Sequence, residues 1–161
     1  MRWLLIAGAF VACIVLIVVV VGALLPVAHT AERTAEISAP PERVWTALTD
    51  VAAFPQWRPD VASVDQLPDE TWREHGKNGV ITYHVTTAEP PSRLVVRIAD
   101  TSLPFGGEWE YRVAPGRVTI VERGEIYNPV FRFMSRFVFG QTKTIEAYLW
   151  ALKRRVESRP S

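Results

Sequence analysis

ISAPPERVWTALTDVAAFPQW, residues 37–57, decides the reading of the fold. Ser38 and the pair Pro40-Pro41 mark a helix start: a capping hydroxyl, then prolines in a first turn where a missing N–H costs little. Val44, Leu48 and Val51 follow at helical spacing with Trp45 beside them. Pro55 and Pro59 then break the chain, so VAAFPQWRPD predicts a short helix or turn. Such a stretch belongs to a domain with a core of its own.

Upstream the chain differs in kind. Leu4 to Leu25 contain no charged residue, no Asn or Gln and no Pro, and fifteen of these 22 residues are Leu, Ile, Val or Phe. As a helix they span roughly 33 Å, enough for a hydrocarbon core. Their side chains favour insertion by roughly −5 to −9 kcal/mol. A cleaved signal peptide competes, but it wants an apolar region of about 7–15 residues and a small-x-small site. LLPVAHTAE matches poorly, because a cut after Ala28 places Pro26 at −3, and Cys13 sits too deep in the run for a lipoprotein anchor. The expectation is a single-pass anchor in the cell membrane, residues 4–25, within an anchor-and-linker segment 1–31. Arg2 precedes the span, while His29, Glu32 and Arg33 follow it. The positive-inside rule then puts the N-terminus in the cytoplasm and residues 32–161 on the extracytoplasmic side.

Without Arg2 the chain carries 17 basic and 17 acidic residues, a balance that argues against a nucleic-acid partner. Cys13 is the only cysteine, so neither a disulfide framework nor a thiolate metal site is expected. No cofactor is implied, and oligomeric state is not legible.

Downstream of the quoted stretch the pattern changes to strands. RTAEIS reads as a first strand after a linker PVAHTAE. DVASVDQL, TWREHG, VITYHVTTAE, RLVVRIAD, GEWEYRVA and RVTIVERGEIY follow, rich in β-branched and aromatic residues. Lys77-Asn78-Gly79 and Pro115-Gly116 mark tight turns. About seven strands with short connections predict a meandering antiparallel sheet. The chain closes with NPVFRFMSRFVFGQTKTIEAYLWALKRRVE, an amphipathic helix with a bend expected near Gly140. Val130, Met134, Phe137, Val138, Ile145, Tyr148, Leu149, Leu152 and Val156 fall on its apolar side.

Three segments carry a family resemblance. ISAPPERVWTALTDVAAFPQW is similar to the opening I-x-A-P-x-E-x-V-W-x-x-L-x-D-x-x-x-x-P-x-W of the START-like SRPBCC superfamily, particularly its polyketide cyclase/dehydrase-type members. EPPSRLVVRI and the long segment from Arg117 to Arg155 extend the match to about residues 32–157. The resemblance implies an α+β helix-grip fold: a curved sheet around the last helix, with a hollow between them for an apolar small molecule. Members bind sterols, lipids, polyketides, hormones or aromatic compounds, and a minority catalyse reactions on them.

No nucleophile–base pair or metal motif stands out, and no catalytic residue is assigned. His29, in the linker, and His75 and His84, on strands, read as surface or structural imidazoles. Glu108 and Glu110 share the face of their strand expected to be solvated. Glu122 shares a parity with Val118 and Ile120, which turns it toward the hollow or into an ion pair at the sheet rim.

Aromatic residues carry the functional expectation. Trp57, Trp72, Tyr83, Trp109 and Tyr111, with Val96, Glu122, Met134, Phe137 and Gln141, are the expected pocket lining. Large rings with polar tips suit an apolar cavity, although core filling explains each ring taken singly. Gln141 falls on the helix's apolar stripe and needs a partner there, either a ligand or a backbone group at the Gly140 bend. Phe139 and Trp150 interrupt the charged side, a pattern that suits a lipid surface. The expected function is a membrane-anchored binding module for a lipid, polyketide or aromatic compound, without covalent chemistry. One alternative is a cyclase/dehydrase-like enzyme using Glu122 or Tyr111 as acid or base; another is a partner-binding scaffold whose hollow is filled by its own side chains.

Overall fold

The computed structural model describes residues 2–77, 79–139 and 142–158, the side chains of Leu4 and Phe139 apart. An apolar helix α1 (Arg2–Leu24) leads directly into β1 (Ala28–Glu36). Next come α2 (Pro41–Thr49), a 3₁₀ turn (Val51–Ala53) and α3 (Phe54–Trp57). Six strands follow as a meander: β2 (Val61–Leu67), β3 (Thr71–Gly76), β4 (Gly79–Glu89), β5 (Arg93–Ile98), β6 (Phe105–Ala114) and β7 (Arg117–Ile126). The chain ends with α4 (Pro129–Met134), a π turn (Ser135–Phe139) and α5 (Lys143–Glu157). The strands form one curved antiparallel sheet in the order β1-β7-β6-β5-β4-β3-β2, with β1 closing back on β7.

Alternation along β6 shows how the sheet is sided. Trp109, Tyr111 and Val113 turn toward α5, and Glu108, Glu110 and Arg112 turn away, as period two requires. α5 answers with Ile145, Tyr148, Leu149, Leu152 and Val156, a stripe at helical spacing that is buried along its length. α2 adds Val44 and Leu48, one turn apart and both buried. Each aliphatic side chain so buried contributes about 1.5–3 kcal/mol.

Four expectations change. The segment read as a linker is strand: β1 pairs with β7 from Ala28↔Glu125 onward, because the free edge of β7 is long enough to satisfy its backbone groups. Ser38 does not cap α2. Pro40 occupies that position without a side-chain bond, and the Ser38 backbone N–H donates to Glu157 instead. Glu110 is not solvated. It is 3 % exposed, beneath the stems of Arg93, Arg112 and Arg123, with buried Val95 and Val121 opposite it in the ladder.

The fourth change concerns the terminal helix, which is two helices. α4 is started by Asn128, whose side-chain oxygen accepts from the N–H groups of Val130 and Phe131. It packs against α1 rather than under α5. Val18, Val21 and Gly22 on one face of α1, with Leu25 just past its end, are the residues that lose exposure here. Pro129 meets Gly22 so closely that a Cβ there has no room. Sequence periodicity does not distinguish which apolar surface a stripe will choose, and here α1 supplied a second one. Asn78, Gly140 and Gln141 lie outside the described residues, so the turn chemistry and bend expected of them are not described.

Candidate functional site

On the concave face the sheet, α3 and α5 bring rings together. Tyr148, from the centre of the buried stripe of α5, stands between Trp57 of α3 at 5.5 Å and Trp109 and Tyr111 of β6 at 5.5 and 5.6 Å between ring centroids. Phe54 lies edge-on to Trp57 and Trp72, and Trp72 stacks on Tyr83 across the β3–β4 pair. Mutually perpendicular and stacked pairs of this kind each add about 0.5–1.5 kcal/mol beyond their burial. The structure thus unites five of the expected residues, Trp57, Trp72, Tyr83, Trp109 and Tyr111, with Val96 in the same core. These rings line the concave face where the resemblance implies a hollow, and Trp57, Tyr83 and Trp109 among them are only partly buried. Beside them lies a half-open cleft of about 20 Å³, lined by Arg58, Val61, Glu74, Ile81 and Tyr83 among others, room for about one water.

A buried ion cluster sits against the rings. The Arg58 guanidinium lies 5.0 Å from the centroid of Phe54 and 5.1 Å from that of Tyr148. It donates to Asp60 and Glu74, each at 2.7 Å, and Glu74 also accepts from the indole N–H of Trp72 at 3.0 Å. Burial works against the Arg58 charge, but the carboxylates of Glu74 and Asp60 outweigh it and hold the guanidinium protonated. Burial likewise pushes the Tyr148 hydroxyl up to about 12 and raises those of Tyr83 and Tyr111. All three tyrosines are neutral hydrogen-bonding groups at physiological pH. Two donors in this cluster, Trp57 Nε1 and Arg58 Nε, are buried with no acceptor among the described residues.

The end of the concave face next to α1 is built differently. His29 and Ala31 of β1 face Gly124 and Glu122 of β7 in register. The His29 imidazole lies over Gly124, where a Cβ would collide with it. His29 Nε2 is 3.8 Å from the Glu122 carboxylate, with both side chains mostly buried. Glu122 therefore takes an inward, paired position rather than a solvated one.

Met134 and Phe137 are not brought to the rings. Met134 belongs to α4 and Phe137 to the π turn, where it packs against Phe133 and remains 59 % exposed. Gln141 lies outside the described residues. Among the described residues no group of His, Cys, Asp or Glu is arranged to hold a metal ion.

The family profile described as "Polyketide cyclase / dehydrase and lipid transport" matches residues 28–157, beginning at the first residue of β1. The chain belongs to this family. Among solved structures, it is similar to the di-domain aromatase/cyclase BexL of the BE-7585A biosynthetic pathway (TM-score 0.66, 19% identity), covering 88% of this chain and 54% of that one. The chain thus spans about half of BexL's length. It is also similar to norcoclaurine synthase from Thalictrum flavum (TM-score 0.66, 10% identity, 83% of this chain and 88% of that one). A START superfamily protein from Mycobacterium smegmatis is a third likeness (TM-score 0.59, 18% identity, 80% and 97%). At these identities the likenesses show the fold. No curated protein sequence matches the chain.

Three residues of the site in this polyketide cyclase/dehydrase-family member escaped the sequence reading. Arg58 follows Trp57 between two prolines, and its charge made it look like surface. Glu74 alternates correctly with Trp72 to face inward, but without its cation it had no reason to be buried. His29 was hidden because β1 begins before any apolar alternation is visible. Tyr148 was legible as a helix-stripe residue, though not as the ring on which the others converge.

Proposed function

We propose that this family member is a membrane-anchored binding module for a small apolar molecule, a lipid, polyketide or aromatic compound, without covalent chemistry. α1 holds it in the bilayer as a single span, with the sheet domain on the extracytoplasmic side. The observation that carries the reading is the ring cluster beneath α5, in which Trp57 Nε1 and Arg58 Nε have no acceptor among the described residues. A buried donor without a partner costs about 1–3 kcal/mol, and a guest carbonyl or hydroxyl between the rings offsets that cost. The guest enters where Trp57, Tyr83 and Trp109 are only partly buried. A molecule that partitions into lipid is met most often at the lipid surface, and tethering raises the domain's effective concentration there.

Native mass spectrometry of the full chain, gently extracted and then offered a membrane lipid extract, tests this reading. The expected result is a discrete adduct that weakens in Trp57→Phe. Bare polypeptide mass throughout, or an adduct indifferent to Trp57→Phe, overturns it.

One observation favours a second, catalytic reading: the inward pair His29–Glu122 at 3.8 Å, an imidazole and a carboxylate able to share acid–base work. In that case Glu122, rather than the deeply buried Tyr111, is the acid–base group. Turnover of a polyketide-like or aromatic substrate that disappears in Glu122→Gln supports it.

A further inference from the structure

The segment from Tyr127 to Val138 carries an exposed apolar surface that the domain does not use. Phe131 is 51 % exposed, Phe137 59 % and Val138 55 %. Among soluble surfaces, contiguous large apolar side chains of this kind mark a contact. Between Glu125 and Glu146 the sequence has no acidic residue but has Arg132, Arg136 and Lys143. Arg136 and Lys143 are exposed.

The position of this segment identifies its partner. α4 packs on the last turns of α1, with Pro129 against Gly22. Arg132 Nη1 donates to the Leu25 carbonyl at 2.7 Å, and Arg132 Nη2 to that of Tyr127 at 3.2 Å. The exposed rings therefore sit at the level where α1 leaves its apolar stretch. If α1 spans a bilayer, that level is the boundary between acyl chains and headgroups. Short helices with aromatic and aliphatic residues on one side and bases on the other settle there.

We propose that α4 and the π turn form an interfacial shelf in which Phe131, Phe137 and Val138 enter the outer acyl region while Arg136 and Lys143 meet anionic headgroups. This inference rests on α1 being a membrane span. The shelf fixes the height and tilt of the sheet domain, placing the His29–Glu122 end of the concave face toward the lipid.

The test places single nitroxide labels on the full chain in a Cys13→Ala background, reconstituted into phosphatidylcholine/phosphatidylglycerol vesicles. Phe131→Cys, Phe137→Cys and Val138→Cys probe the shelf, with Ile14→Cys in α1 and Ser63→Cys on β2 as references. Collision with oxygen reports lipid, and collision with a water-soluble nickel chelate reports solvent. The shelf labels are expected to be oxygen-accessible and nickel-shielded, resembling position 14 rather than position 63. Shelf labels matching position 63, while position 14 reads lipid, overturn the shelf and leave the anchor intact. Labels shielded from both reagents report a protein contact, such as a second copy, and also overturn it. A solvent reading at position 14 removes the anchor and the shelf together. In vesicles of phosphatidylcholine alone, the shelf labels are expected to shift toward solvent; no shift overturns the headgroup role of Arg136 and Lys143.

Discussion

Arg132 donates its guanidinium to the carbonyl of Leu25, so a side chain from near the end of the chain closes the last turn of its first helix. The final carbonyls of a helix have no partner within it. Here α1 obtains one from α4, and Ala23 lies within reach of the same nitrogen at 3.5 Å. The anchor helix and the sheet domain are thereby joined at a specific point rather than by a loose linker.

Replacing Arg132 with Met keeps the side chain's length and removes these bonds. Hydrogen bonds to a charged group contribute about 1.5–3 kcal/mol. Amide hydrogen exchange across residues 128–138 is expected to accelerate in Arg132→Met, while exchange in β6 and β7 stays unchanged. Equal protection in wild type and variant would show that α4 is held by packing alone.

Arg58 and Glu74 form the most deeply buried ion pair of the concave face, with side chains 11% and 9% exposed. Arg58→Met leaves Glu74 uncompensated and is expected to cost about 3–5 kcal/mol. The double variant Arg58→Met/Glu74→Leu is expected to recover most of that loss. Urea unfolding of the three proteins in matched detergent measures the cycle, and a double variant as unstable as the single one contradicts it.

Glu110 accepts from Arg112 first, and from Arg123 and Arg93; these bonds outweigh its burial and lower its carboxyl from the ordinary 4.5 to about 2. A pKa depressed in the folded state contributes stability that is complete above about 4.5 and is lost as pH falls toward about 2. Glu110→Gln is expected to cost about 2 kcal/mol at neutral pH, reduced from the buried-pair value because the three arginines face water. The variant's stability should also vary less than the wild type's between these two pH values. Parallel pH–stability curves would remove Glu110 as the source of the slope.

Trp57→Phe keeps a ring between Phe54 and Tyr148 but deletes the unpartnered N–H. Thermal unfolding is expected to show a variant as stable as wild type, or more stable by about 1 kcal/mol. Weaker ligand retention in the same variant would separate binding from packing. A loss of more than about 2 kcal/mol would mean that the indole N–H has a partner in the folded protein.

Much of the fold was legible because its signals are local. The strands β2 to β7 announce themselves by β-branched and aromatic runs between turn residues. Alternation in β6 placed Trp109 and Tyr111 on one face and the glutamates on the other. Val44 and Leu48, one turn apart, marked the buried side of α2. Trp109 and Tyr111 were legible for the same reason, since parity assigns a side. Glu110 and Arg58 were not, because a charged residue reads as exposed until its partners arrive from other strands. Met134 and Phe137 belong to α4 and the π turn, which the apolar spacing of the sequence does not separate from α5.

By itself, then, the order of amino acids determined an apolar helix, seven strands, two amphipathic helical stripes and the shared face of Trp109 and Tyr111. These follow from spacing within a few residues of chain. Only the folded chain decided what each apolar stripe would rest on, which charges would be buried together, and how much space Tyr148 would leave beneath α5. Those quantities depend on groups far apart in sequence meeting at van der Waals distance, and no periodicity records such a meeting.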